Sequence, residues 1–212
     1  MFDIKFNALD YAPEQIARQI EVREKAWCFV EESGLPKQTE VWKYTDLSKV
    51  IMPNRNILRP RKEQCFDRDK ILSLKESNFI YLVFIDGNLD EISSDIDIIF
   101  DEGAYVKSIL GQTEHSQYLK DHYMVALNDA THTDGIHLSI GSQAELSKPI
   151  VFLYVSTDDT NGDIHNYKNI IQVESQSKLQ IIEKFINLSN NIDAKPIYNI
   201  QAQCRLDDSA IL

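Results

Sequence analysis

The hydrophobic pattern of the chain changes character near residue 130. Beyond that point short β-type runs follow one another with little room for helices between them. Gly135-Ile136-His137-Leu138-Ser139-Ile140 alternates apolar and polar residues, whereas Ile150-Val151-Phe152-Leu153-Tyr154-Val155 is apolar throughout. Period-two alternation buries one face of a strand, and a continuous apolar run calls for cover on both faces. Asn169–Val173, Leu179–Glu183 and Gln201–Leu206 continue the series. In the last of these, Ala202, Cys204 and Leu206 alternate with Gln201, Gln203 and Arg205, so Cys204 reads as a small buried apolar residue.

Before residue 130 the pattern is mixed. Residues 1–12 read as an extended lead-in. Ile16, Ile20, Trp27 and Val30 share one helical face between Pro13 and Ser33, with Pro13 suited to the first turn and Gly34 to the stop. After the break at Gly34-Leu35-Pro36, the aromatic segment Thr39–Leu47 reads as a packed anchor. Residues 48–70 are loop-like and contain a basic cluster, Asn54–Lys62. Phe79–Ile85 is the strongest single strand. The Asp86-Gly87 that follows it, before Asn88–Ile92, predicts a hairpin, because glycine permits the positive φ of a tight turn. A helix is expected over Ser116–Ala130, with Tyr118, His122, Val125 and Asp129 in one stripe, and Thr131–Gly135 breaks it.

Composition narrows the function classes. The 212 residues carry a net charge of −11, which argues against general nucleic-acid binding, since phosphates need an excess of Lys and Arg. Asp86–Glu102 holds seven acids and no base but lacks the glycine and closing glutamate of an EF-hand loop, so it reads as a solvated face. The three cysteines, Cys28, Cys65 and Cys204, form no CxxC pair, which supports neither a disulfide framework nor a zinc knuckle. The acidic start MFDIKFNALD is no secretory signal, and no apolar run approaches the ~18 residues needed to cross a bilayer. A soluble, cytoplasmic protein without nucleic-acid or membrane partners is expected.

Catalytic motifs are missing. The chain contains no GxxxxGK[ST], GxGxxG, GxSxG or HExxH. His115, His122, His132, His137 and His165 are scattered, and spacing alone does not bring three or four of them together as a metal site requires. No catalytic, cofactor-binding or metal residue is assigned.

A family resemblance emerges from several ordered segments. Gly34-Leu35-Pro36 followed by Glu40-Val41-Trp42-Lys43-Tyr44-Thr45-Asp46-Leu47 resembles the "GLP…EEWKYT-DL" segment of the SufB/SufD family, the scaffold subunits of the Suf iron–sulfur cluster assembly machine. Phe84–Leu89 resembles its glycine hairpin. Ala126-Leu127-Asn128-Asp129-Ala130 with Asp134-Gly135-Ile136 resembles "aLNtAf-dG", and Lys148-Pro149-Ile150 resembles "l-kPI". The Asn169–Val173 and Leu179–Glu183 runs, then Tyr198-Asn199-Ile200 and Leu206–Ala210, follow in the family's order. The early WKYT segment is similar to the SufD type. Where the family has an arginine before its "li-v" strand, this chain has His165-Asn166-Tyr167-Lys168.

The resemblance implies an α+β N-terminal region over residues 1–130, then the first coils of a right-handed parallel β-helix over residues 131–212, mostly β in this last third. It implies a non-catalytic scaffold acting with SufB and the SufC ATPase, with Trp42, Lys43 and Tyr44 as structural anchors of the family motif. The cluster would be handled by the full complex, with no cofactor bound by this stretch. Family members run longer, so their later coils, cluster-related cysteine and histidine positions and SufC-docking region are expected beyond Leu212. An open β-helix edge would invite a homodimer. Two other classes compete: an acidic interaction domain unrelated to cluster assembly, separated by co-purification with SufB and SufC, and a polysaccharide-acting β-helix enzyme, disfavoured by the few basic residues in the strand tract.

Overall fold

The computed structural model describes residues 6–8, 17–36, 42–51, 57, 66–110, 122–157, 163–189 and 195–212. Strands β1 (Ile80–Ile85), β2 (Asn88–Leu89), β5 (Ile150–Ser156) and β7 (Ile181–Asn187) form one sheet in the order β2-β1-β5-β7. Strands β3 (Ala104–Ser108), β4 (Ile136–Ile140), β6 (Ile164–Val173) and β8 (Ile197–Leu206) form the other, in the order β3-β4-β6-β8. Both sheets are mixed. The β1/β2 and β3/β4 pairs are antiparallel, and β1/β5, β5/β7, β4/β6 and β6/β8 are parallel.

This corrects the expected right-handed parallel β-helix: the described residues form two mixed four-stranded sheets with five helices, and no closed barrel or solenoid. The physical reason is that each sheet starts with an antiparallel pair, β2 against β1 in one and β3 against β4 in the other, in which the first-half strands β2 and β3 run against the direction of the rest. Asp86 (φ 43) and Gly87 (φ 93) take the two positive φ values of a tight hairpin turn and return the chain along β1. The boundary expected at residue 130 does not separate the sheets either, since β1 pairs with β5 and β3 with β4. From β4 onward successive strands alternate between sheets. A left-handed residue recurs at Gln143 (φ 63), Gln176 (φ 62) and Ser209 (φ 61), one in each of three stacked turns. The first two side chains, 33 residues apart, are hydrogen-bonded at 3.1 Å.

The main core lies between the sheets. Ile80, Leu82, Phe84, Ile150, Phe152 and Tyr154 meet Val106, Ile136, Leu138, Ile140, Tyr167 and Val173 there. The opposite face of β1 and β5 (Tyr81, Val83, Ile85, Val151, Leu153 and Val155) packs with Ile71 of helix α3 (Arg68–Leu72). Continuous apolar runs are thus covered on both faces, as their pattern requires. Helix α1 (Ala17–Ser33) packs Ala26, Trp27 and Val30 against Tyr123, Ala126, Leu127 and Ala130 of helix α5 (Tyr123–Thr131). It stops where Gly34 (φ 60) donates its amide to the Val30 carbonyl at 3.2 Å. Two short helices, α2 (Leu47–Val50) and α4 (Ile96–Asp101), complete the described elements.

Several element boundaries shift. Strand β6 starts at Ile164 rather than Asn169 and β8 at Ile197 rather than Gln201, while β7 runs Ile181–Asn187. Residues Ser116 to Asp121 of the expected helix, Pro13–Ile16, Cys65, His115 and the basic cluster apart from Ile57 lie outside the described residues. No helix among the described residues is long and apolar enough to cross a membrane.

Candidate functional site

The densest concentration of polar groups is a buried seam where α5 and the Asp86-Gly87 turn meet β6. Helix α5 lies on the second sheet, and its Asn128 side chain, 0% exposed, donates to the carbonyls of Tyr167 on β6 and Asn199 on β8, both at 2.7 Å. Asn199 donates in turn to the Met124 carbonyl at 2.9 Å and to Asn166 Oδ1 at 2.7 Å. Asn166 and Asn199 are register partners on adjacent parallel strands, so α5 is tied to two strands by three asparagines. Beside them Lys168 Nζ meets Asp129 Oδ1 at 2.6 Å, with side chains 10% and 2% exposed.

At the other end of the seam, two carboxylates hold backbone joints. Asp134 accepts from the Leu89 amide (2.9 Å), the Ser108 hydroxyl (2.7 Å) and the Gly135 amide (2.8 Å). Burial raises its pKa, and those hydrogen bonds oppose the rise. Asp86 accepts from the Thr157 amide at 2.9 Å and from its hydroxyl. The Gly87 amide donates to the Tyr167 hydroxyl at 2.9 Å, and the Gly87 carbonyl accepts from Thr133 Oγ1 at 2.5 Å. Burial drives the Tyr167 hydroxyl well above its ordinary pKa, so it stays a neutral phenol. Gly135 sits so close to β6 that a Cβ there would lie 1.8 Å from the Lys168 carbonyl oxygen.

The histidines go to separate places. His122 is the exposed residue preceding α5, and His137 on β4 faces Gln172 Oε1 at 3.1 Å. His165 is fully buried beside Tyr198, with ring centroids 4.9 Å apart. His132 ends α5 and takes Arg23 of α1 as its neighbour at 3.0 Å. Among the described residues no three His, Cys, Asp or Glu side chains converge as a metal site.

The anchor triad is corrected in part. Trp42 is half-buried, Lys43 is exposed, and Tyr44 is 92% exposed with Lys43 Nζ 5.4 Å from its ring. Among the described residues of this segment, the buried one is Leu47, at the start of α2. Asp46 caps that helix by accepting from the Ser48 amide at 3.1 Å and hydroxyl at 2.6 Å, which lowers its pKa. Cys204 is exposed rather than buried, because β8 is an edge strand whose outer residues have no described cover. The acidic stretch is only partly a solvated face. Asp95 Oδ2 accepts the Tyr81 amide at 2.8 Å, and its Oδ1 meets Lys75 at 2.5 Å.

Edge strands β7 and β8 form the other distinctive surface. Phe84, Tyr154 and Phe185 stack as a ladder across β1, β5 and β7, with centroids 4.9 and 5.2 Å apart. The first two rings are buried, but Phe185 is 49% exposed, as are Leu206 (49%) and Ile182 (37%). Among the described residues no strand pairs with the outer edge of either β7 or β8. Near their turns an open cleft of about 310 Å³ is lined by Glu145, Ser147, Lys148, Lys178, Gln180 and Ile211, but its Lys178–Glu145 pair is solvent-exposed and weakly held. No protein-family model and no curated protein matches the chain.

Proposed function

We propose that this chain is a non-catalytic scaffold component of Suf-type iron–sulfur cluster assembly, working in the cytoplasm with SufB and the SufC ATPase. The observation that carries this reading is how the motif residues use their polar groups. Asn128, Asp134 and Gly135 come from the segments that resemble the family, as do Asp86 and Gly87. All five serve backbone joints: Asn128 bridges two strands, Asp134 and Asp86 collect amides, Gly87 turns the hairpin and Gly135 admits a close strand. A motif whose members hold the backbone in place marks architecture. A catalytic motif would instead present a nucleophile to a base. The cluster is the cargo of the assembly, and no residue of this chain is assigned to it.

The partner surface in this reading is the β7/β8 edge, which no described strand covers and where half-exposed Phe185 and Leu206 favour strand addition. Purification of the natively expressed, tagged protein tests the proposal. SufB and SufC are expected in the same complex, and recovery of neither overturns it. An acidic interaction domain would instead recover other proteins.

A further inference from the structure

Arg23 is an unusual residue to find inside a helix–helix contact. It lies in the middle of α1, is 1% exposed, and reaches the end of α5 more than a hundred positions away in the chain. Its Nη1 donates to the Ala130 carbonyl at 2.9 Å and its Nη2 to the His132 carbonyl at 2.9 Å. The helix end carries partial negative charge on such carbonyls, so a cation is well placed there. The same Nη2 lies 3.0 Å from His132 Nε2.

The protonation of that ring follows from its two partners. His132 Nδ1 lies 3.0 Å from the Asn128 carbonyl, which can only accept, so Nδ1 carries a proton. A guanidinium can only donate, so Nε2 must offer its lone pair. Both contacts demand the same neutral tautomer. A second proton on Nε2 would aim a donor at a donor and set two cations in contact. From β6, Lys168 adds a further positive charge, itself matched by Asp129 of α5.

We propose that Arg23 and His132 form a proton-operated latch that holds α1 on α5 at neutral pH and releases it in acid. The direction of the His132 pKa agrees: burial, Arg23 and Lys168 hold it well below its ordinary value. A depressed histidine pKa contributes stability that is present above the unfolded value of about 6.5 and is lost as pH falls through the folded value. The hydrogen bonds that join Arg23 to Ala130 and His132 run between α1 and the end of α5. Acid should therefore loosen α1 before it affects β1 and β5.

Trp27, 5% exposed in α1 and stacked on Phe6 with centroids 4.7 Å apart, reports the release. In a Trp42→Phe background it is the sole tryptophan, because the chain has two. Its emission should shift to the red with a midpoint below about pH 6.5, while the far-UV β signal is retained. His132→Gln keeps an acceptor for Arg23 but cannot titrate, and should abolish the transition. Ring ¹⁵N NMR of the His132-intact protein should give the Nδ1–H tautomer and a titration coincident with the Trp27 change. A Trp27 signal unchanged by acid until the far-UV β signal is itself lost, the same transition in His132→Gln, or a ring that titrates without moving Trp27 would each overturn the latch.

Discussion

Asp129→Asn removes one charge from the ion pair that joins α5 to β6 while preserving the shape of the side chain. At the observed 2.6 Å separation, two unit charges attract by about 6 kcal/mol for an effective dielectric constant of ~20. Desolvating the two ions costs several kcal/mol each, so the pair as a whole contributes little net stability. Losing one partner is different, because the other charge then stays buried without compensation, at about 3–5 kcal/mol. Asp129→Asn should sit near 3 kcal/mol, since the Lys168 side chain keeps 10% exposure and the amide oxygen still accepts. Lys168→Met strands a carboxylate only 2% exposed and should lie toward about 5 kcal/mol. The double variant Asp129→Leu/Lys168→Met replaces both charges by apolar groups and should recover to within about 1.5 kcal/mol of wild type. Urea unfolding followed by far-UV circular dichroism reads all three as changes in extrapolated stability. Single variants within about 1 kcal/mol of wild type would refute the burial of the pair. A double variant as damaged as the two singles combined would refute charge as the cause.

Gly135→Ala should cost about 3 kcal/mol, because the added methyl meets the Lys168 backbone rather than a yielding side chain; an unchanged urea midpoint would contradict the close approach. Tyr44→Ala should change stability by less than about 0.5 kcal/mol given its 92% exposure. Trp42→Ala, half-buried, should fall between that value and the ~3–5 kcal/mol of a fully buried aromatic, and thermal melts of the two variants rank them. In alkali, burial holds Tyr123 up to about 12 and also raises Tyr154, Tyr167 and Tyr198. Their stabilising contribution is complete below the unfolded value of about 10 and is lost as pH rises through the folded values, at about 1.4 kcal/mol per unit per tyrosine. A melting temperature that holds constant from pH 9.5 to 11.5 would disprove it. Finally, the 212-residue chain should self-associate through β7 and β8, and light scattering of a clean monomer at high concentration would argue otherwise.

Local pattern determined what local physics controls. Within the apolar runs at Phe79–Ile85 and Ile150–Val155, Ile80–Ile85 and Ile150–Val155 became strands buried on both faces, because cover on each side removes every side chain from water. Asp86-Gly87 made a tight hairpin, and Gly34 ended α1, because positive φ is nearly free for glycine. Pairing is not local. Whether β5 lies beside β1 or in a solenoid depends on which distant edge offers amides and carbonyls, and the mixed sheets arose because β2 and β3 add antiparallel to β1 and β4. Cover is not local either. The helical periodicity of α1 marked Trp27 and Val30 but passed over Arg23, whose charge suggests solvent and whose partners lie more than a hundred residues away. Likewise His165-Asn166-Tyr167-Lys168 stands where the family has an arginine before its strand, yet all four are buried within β6, where Lys168 meets Asp129 and the Tyr167 carbonyl accepts from Asn128, both of α5. Cys204 shows the reverse, an alternating strand left exposed because no described element covers it. The sequence specified most of the strand segments and the Asp86-Gly87 turn, though not β3; the tertiary structure alone decided what each strand lies against, and therefore which polar groups are buried.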